Sequence, residues 1–135
     1  MSDAPLTTED YQSVVDAGRI LEERGWRRAY TVNEQVEAWQ RLVESVEDGY
    51  PLTIDDYTND LAVRQWLHLA RSLLTDRVRQ SLDRRLASLD ERFTHATVGP
   101  RQRMPGAGLR WWYRVPKVLV GELREDVDRL HLLES

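Results

Sequence analysis

Apolar residues recur every three to four positions along most of the chain, and that spacing predicts helices. From about Thr8 to Arg24, the stripe is Tyr11, Val14, Val15, Gly18 and Leu21. Gly25 follows, where a left-handed residue ends a helix without penalty. The second predicted helix has the clearest start. Thr31 and Glu34 form a capping box, in which each side chain satisfies the other's free backbone N–H. Val32, Val36, Trp39, Val43 and Val46 then share a face, Gly49 ends the run, and Pro51 blocks its restart.

Thr53 predicts a cap for a short turn through Ile54 and Tyr57. A third helix is expected from about Asn59 to Leu74, with Leu61 or Ala62, Trp66, Leu69, Ala70 and Leu73 inward. Thr75 caps a fourth, with Asp76 in its first turn, where a negative charge suits the helix dipole. Its stripe is Val78, Leu82, Leu86, Leu89 and Phe93. Residues 94–108 hold two Pro and three Gly and predict a loop. LRWWYRV, 109–115, has the aromatic and β-branched residues of a short extended piece. Pro116 suits the first turn of a last helix using Leu119, Leu123, Val127 and Leu130.

Each predicted helix has one apolar stripe and a charged opposite face, so the stripes must be buried against one another. The expected fold is all-α. It is an up-and-down bundle of four main helices plus a C-terminal helix, with one long irregular loop at about 94–116. A length of 135 residues fits one helical domain. Residues 1–7 are expected to be disordered.

Charge adds a second layer. The net charge is −4, and 18 of the 19 basic residues are Arg. The distribution is uneven. Residues 44–60 carry Glu44, Glu47, Asp48, Asp55, Asp56 and Asp60 and no base. Residues 94–117 carry Arg101, Arg103, Arg110, Arg114 and Lys117 and no acid. Helices that alternate in direction place these two blocks at the same end. There Arg110 or Arg114 is expected to pair with Asp55, Asp56 or Asp60, through the planar fork that suits carboxylates.

The candidate binding residues follow from that placement. They are Arg110, Trp111, Trp112, Tyr113 and Arg114, faced by Tyr50, Asp55, Asp56 and Tyr57. Trp, Tyr and Arg are the residue types most enriched in binding hot spots. Neighbouring Trp111 and Trp112 on an extended segment point to opposite sides. One tryptophan is therefore expected in the core, and the other serves a partner or stacks with an arginine.

Several chemistries lack their residues. There is no cysteine, which excludes disulfides, thiol catalysis and thiolate metal sites. His68, His95 and His131 are the three histidines, and no pair has ligand spacing on one helix. His68 is expected to be partly buried. No nucleophile elbow, phosphate-binding loop or dinucleotide fingerprint occurs. Glu34 with Glu37, and Glu44 with Glu47, set carboxylates three apart, but the acids of 55–60 lack the spacing that would complete a magnesium-dependent hydrolase site. The start MSDAPLTTED has neither the basic nor the apolar part of a signal peptide. The longest apolar run is far shorter than a membrane span needs. A cytoplasmic location is expected.

The reading that results is a non-enzymatic protein-interaction module: a regulator, an adaptor, or an immunity- or antitoxin-type inhibitor. It calls for no cofactor and no metal. Its complementary charge blocks also allow a homodimer. The alternative is nucleic-acid binding through residues 101–117, where aromatics stack bases and arginines hold phosphates, and behind it stands a carboxylate-metal hydrolase.

Overall fold

The computed structural model describes residues 5–133. It is a helical bundle: α1 (Thr8–Glu23), α2 (Val32–Asp48), α3 (Ile54–Asp60), α4 (Ala62–Arg71), α5 (Asp76–His95) and α6 (Gly121–Arg129). Two short strands, β1 (Thr97–Val98) and β2 (Val115–Pro116), pair antiparallel between α5 and α6. No described helix is long and apolar enough to cross a membrane.

The helix starts are set by side chains. Thr31 accepts from the Glu34 N–H and Glu34 accepts from the Thr31 N–H, which completes the expected capping box. Thr7 with Asp10 and Thr53 with Asp56 repeat it. Thr7 therefore has a fixed role at the start of α1, and the Pro5 carbonyl accepts from Arg77. The rest of the 1–7 segment that was expected to be disordered, residues 1–4, lies outside the described residues. Gly25 and Gly49 follow α1 and α2 with φ of +111° and +115°, a backbone region that L side chains avoid.

Cross-helix bonds fix the directions. Asn33 bonds Arg85, Trp39 bonds Asp90 and Glu47 bonds Arg92, so α2 and α5 run the same way. Arg64 bonds Asp90 while Arg71 bonds Asp83, so α4 runs against α5. This reversal brings the 49–60 and 94–117 connections to one end, as the alternation requires. The link after α1 behaves differently. It doubles back so that Gly18 faces the Tyr30 carbonyl; a Cβ on Gly18 would lie 2.4 Å from that oxygen. Consequently α2 begins near the first half of α1, and Tyr11, Val14 and Val32 border one pocket.

The core draws on the stripes of α2 and α5 as expected: Val32, Val36, Trp39, Val43 and Val46 with Val78, Leu82, Leu86, Leu89 and Phe93. In α1 the expectation holds for Leu21 and Gly18, while Tyr11 and Val15 are 61% and 63% exposed. The inward face of α1 is turned toward Ala17 and Leu21 because Gly18 must meet the returning chain.

Three local expectations are corrected. The predicted turn at Ile54–Tyr57 is a helix, α3, and the third helix begins later, at Ala62. The capping box at Thr53 is what starts α3, and Leu61, at the joint between α3 and α4, is fully buried. Residues 109–112 of LRWWYRV are bends and turns, not an extended piece. Pro116 lies in β2, and the last helix begins at Gly121. Pro116 has no N–H to donate, so the ladder closes around it through Lys117, whose N–H bonds the Ala96 carbonyl at 2.9 Å.

Candidate functional site

The loop from Met104 to Tyr113 lies at the end of the bundle where the two charge blocks meet. Two buried side chains anchor it, Met104 and Trp112, each 1% exposed. Between them the chain bulges outward to Leu109, which is 87% exposed, and Arg110, also exposed. Trp111 is 43% exposed. The expectation of one inward and one outward tryptophan therefore matches what is seen. A turn separates the two rings, whose planes meet at 82° with centroids 5.7 Å apart.

Beneath the loop is a buried polar centre that the sequence did not single out. Arg64 of α4 is 7% exposed. Its Nε and Nη2 donate to the two Asp90 oxygens at 3.0 and 2.9 Å. Trp39 Nε1 donates to the same carboxylate at 3.0 Å. One carboxylate thus joins α2, α4 and α5. The Arg64 guanidinium also faces the Trp111 and Trp112 rings, 5.6 and 5.1 Å from their centroids. A cation over an indole face is favourable, more so when water is excluded. Arg64 Nη1 and Trp112 Nε1 are nonetheless buried without a hydrogen-bond partner among the described residues. A buried donor left unpaired costs about 1–3 kcal/mol. The amphipathic stripe of α4 assigns Trp66 and Ala70 inward, but gives no sign that a charged residue would join them. The signal available was the pair Arg64 and Asp90 on two neighbouring helices.

The expected bonds between the charge blocks do not form. Arg114 donates from Nε to Thr97 Oγ1 at 2.8 Å and from Nη2 to the Thr97 carbonyl at 3.0 Å. It braces β1 against β2 and is not available to Asp55, Asp56 or Asp60. Asp60 accepts from the Tyr50 hydroxyl, and Asp56 belongs to the cap of α3. Tyr50 and Tyr57, expected as a facing edge, are 2% and 0% exposed, with rings packed edge to face. The Tyr57 hydroxyl donates to the Arg114 carbonyl at 2.5 Å. This bond ties α3 to the 94–120 segment, and Asp126 of α6 accepts from the Ile54 N–H. Burial raises the pKa of both tyrosines well above the usual phenol range, and the Asp60 carboxylate adds to this for Tyr50. Tyr113 is half-buried, and Gly108 packs against its ring, where a Cβ would lie 3.1 Å away.

The candidate set therefore divides. Trp112, Tyr50 and Tyr57 are buried, Tyr113 is half-buried, and Arg114 is bound to Thr97. Arg110, Trp111, Asp55 and Asp56 reach solvent, and Leu109 joins them. Gly106, with its would-be Cβ 3.3 Å from Thr58 Oγ1, brings the base of the loop against α3. Arg101, Arg103, Arg110 and Lys117 are exposed and pair with no carboxylate among the described residues.

The acids of 44–60 do not converge either. Glu47 is held by Arg92 at 2.6 Å, which lowers its pKa below the ordinary carboxylate range. Among the described residues no three His, Asp or Glu side chains gather as a cation site. His68 is half-buried against the Trp112 ring at 5.6 Å. Its desolvation, then the nearby Arg110, Arg64 and Arg71, lower its basicity.

No protein-family model matches the chain, and neither a characterised protein nor a solved structure matches it.

Proposed function

We propose that the chain is a non-enzymatic protein-interaction module that docks a partner through Leu109, Arg110 and Trp111, with Asp55 and Asp56 as an acidic edge. A regulator, an adaptor or an immunity- or antitoxin-type inhibitor fits this reading. The observation that carries it is an almost fully exposed leucine beside a half-exposed tryptophan, on a loop pinned at both ends by buried Met104 and Trp112. Anchors at both ends restrict the conformations open to such a tip, so association loses less conformational freedom. Arg110 and Trp111 are of the residue types that dominate binding energy at the centre of interfaces.

The test is a photo-cross-link made in the cell of origin, with p-benzoylphenylalanine at position 109 or, as a control, at exposed Arg84. The reading expects one discrete protein adduct from position 109, lost when Trp111→Ala or Arg110→Glu is added, and none from position 84. Equal smears from both positions would end it.

The second reading, single-stranded nucleic-acid binding, is favoured by one observation. Arg101, Arg103, Arg110 and Lys117 are exposed and without carboxylate partners among the described residues, in the same stretch of chain as the half-exposed Trp111. Phosphate contacts would make affinity for an oligonucleotide fall steeply with salt. An oligonucleotide that fails to bind even at low salt removes this reading.

A further inference from the structure

A hollow of about 440 Å³ lies between the α1–α2 link, the start of α2 and the joint of α3 with α4. That volume is in the range of small-ligand pockets. Its walls are set by the fold. Gly25 turns the chain at a φ of +111°, the Trp26 N–H donates to the Leu21 carbonyl at 3.1 Å, and the Tyr30 ring meets Trp66 edge to face at 6.2 Å. Arg28 covers the Tyr30 ring, 4.4 Å from its centroid. The half-buried Trp26 ring, by contrast, meets no aromatic or cationic group among the described residues. Gln35 of α2 is 6% exposed, yet its amide makes no hydrogen bond among the described residues and is not sealed from solvent, so it opens to the hollow it lines. An enclosed amide costs free energy unless something bonds it, whereas an apolar side chain of that shape would not. Asp60 accepts from the Tyr50 hydroxyl through Oδ2, which leaves Oδ1. Arg24 and Arg27 line the same hollow as exposed cations and pair with no carboxylate among the described residues.

We propose that this hollow binds a nucleoside monophosphate, with the base on the Trp26 ring, its edge bonded to Gln35, and the phosphate held by Arg24 and Arg27. Each part of that ligand answers one observation. A primary amide offers a donor and an acceptor side by side, the pattern with which Gln pairs the edge of a base. An indole face without a partner stacks any base. Two guanidinium groups against one carboxylate leave the hollow positive, which suits a phosphate. Asp60 Oδ1 then accepts from a ribose hydroxyl. A phosphate ester without a flat ring would leave the amide and the indole unused. Leu109, Arg110 and Trp111 do not line this hollow, so the site stands apart from the docking tip.

The experiment is a calorimetric titration of the full chain with adenosine monophosphate, adenosine and ribose phosphate at constant ionic strength. The nucleotide is expected to saturate, adenosine to bind about tenfold or more weakly, and ribose phosphate not to saturate. Gln35→Leu should weaken the nucleotide about tenfold while its urea midpoint stays level or rises, because the fold itself does not bond the amide. Arg27→Gln should weaken the nucleotide about tenfold, the loss of one charge-assisted contact, and Arg84→Gln, at another exposed arginine, should leave it unchanged. A nucleotide that gives no saturable heat overturns the proposal, as does ribose phosphate that binds as tightly. So does undiminished binding in Gln35→Leu, a lowered urea midpoint in that variant, or an equal loss in Arg84→Gln. None of these outcomes depends on a protein partner.

Discussion

Trp112 and Trp111 adjoin in sequence but occupy opposite environments, 1% and 43% exposed. Trp112→Ala removes a ring packed on His68, Trp111 and Tyr113, and should destabilise the fold by about 3 kcal/mol or more. Trp111→Ala keeps that core and should cost under about 1 kcal/mol, the range of surface changes, while weakening partner capture. Urea unfolding of the two variants checks the pair; equal large losses would leave Trp111 with only a packing role. Gly18 is a second residue whose identity is dictated. A Cβ there meets the Tyr30 carbonyl at 2.4 Å, so Gly18→Ala must shift backbone. Strain of that kind costs about 1–3 kcal/mol, which the same unfolding curves would read.

Among elements, the ties that matter most are single polar groups at crossings. Asp90 serves α2 through Trp39 and α4 through Arg64. Asp90→Ala would leave the Arg64 charge enclosed without its carboxylate, so it should destabilise by about 3 kcal/mol or more. Replacing both members, with Arg64→Met added, should recover much of that loss, because an apolar pair of similar volume removes the stranded charge. A double-mutant cycle measured by urea denaturation separates the two outcomes. These ties also show where sequence reasoning stops. The stripes of α2 and α5 were legible because each is a plain 3.6-residue repeat, and Thr31 with Glu34 announced its own capping box. Arg64 was not, since a charged residue reads as solvent-facing until its partner on another helix is known. Arg114 was misassigned for a similar reason. Its fork found the Thr97 hydroxyl and carbonyl across a two-residue strand pair that no periodicity announces.

At the scale of the molecule, the meeting of the acidic and basic segments at one end follows from chain reversal, which short links and Gly49–Pro51 made readable. What joins them is Tyr57 with the Arg114 carbonyl and Gly106 against Thr58, not the ion pairs that charge alone suggests, and Ile54 with Asp126 ties the acidic segment to α6. The charges instead govern how the whole fold responds to pH. Asp10, Glu34, Glu47, Asp83 and Asp126 are all more acidic in the fold than their ordinary values of 3.8 or 4.5. The leading causes are backbone donors at Thr7 and Ile54 for Asp10 and Asp126, and Arg28, Arg92 and Arg71 for Glu34, Glu47 and Asp83. Because the unfolded chain binds more protons than the fold in this range, stability rises with pH. The contribution is complete above the unfolded values and drains away as pH falls from about 5 through the lowered ones. His68 acts in the same direction from a higher pH, since protonation below its ordinary 6.5 is resisted by burial and three arginines. Tyr50 and Tyr57 act oppositely: their raised pKa holds them neutral in the fold, so stability is lost as pH climbs past their ordinary 10.0. Urea midpoints should therefore form a plateau between about pH 7 and 9, with an acid limb that steepens below about 5. His68→Gln should flatten the shoulder between about pH 5 and 6.5 and leave the steeper acid limb in place. An unchanged shoulder in that variant would mean that the imidazole is as basic in the fold as in the unfolded chain.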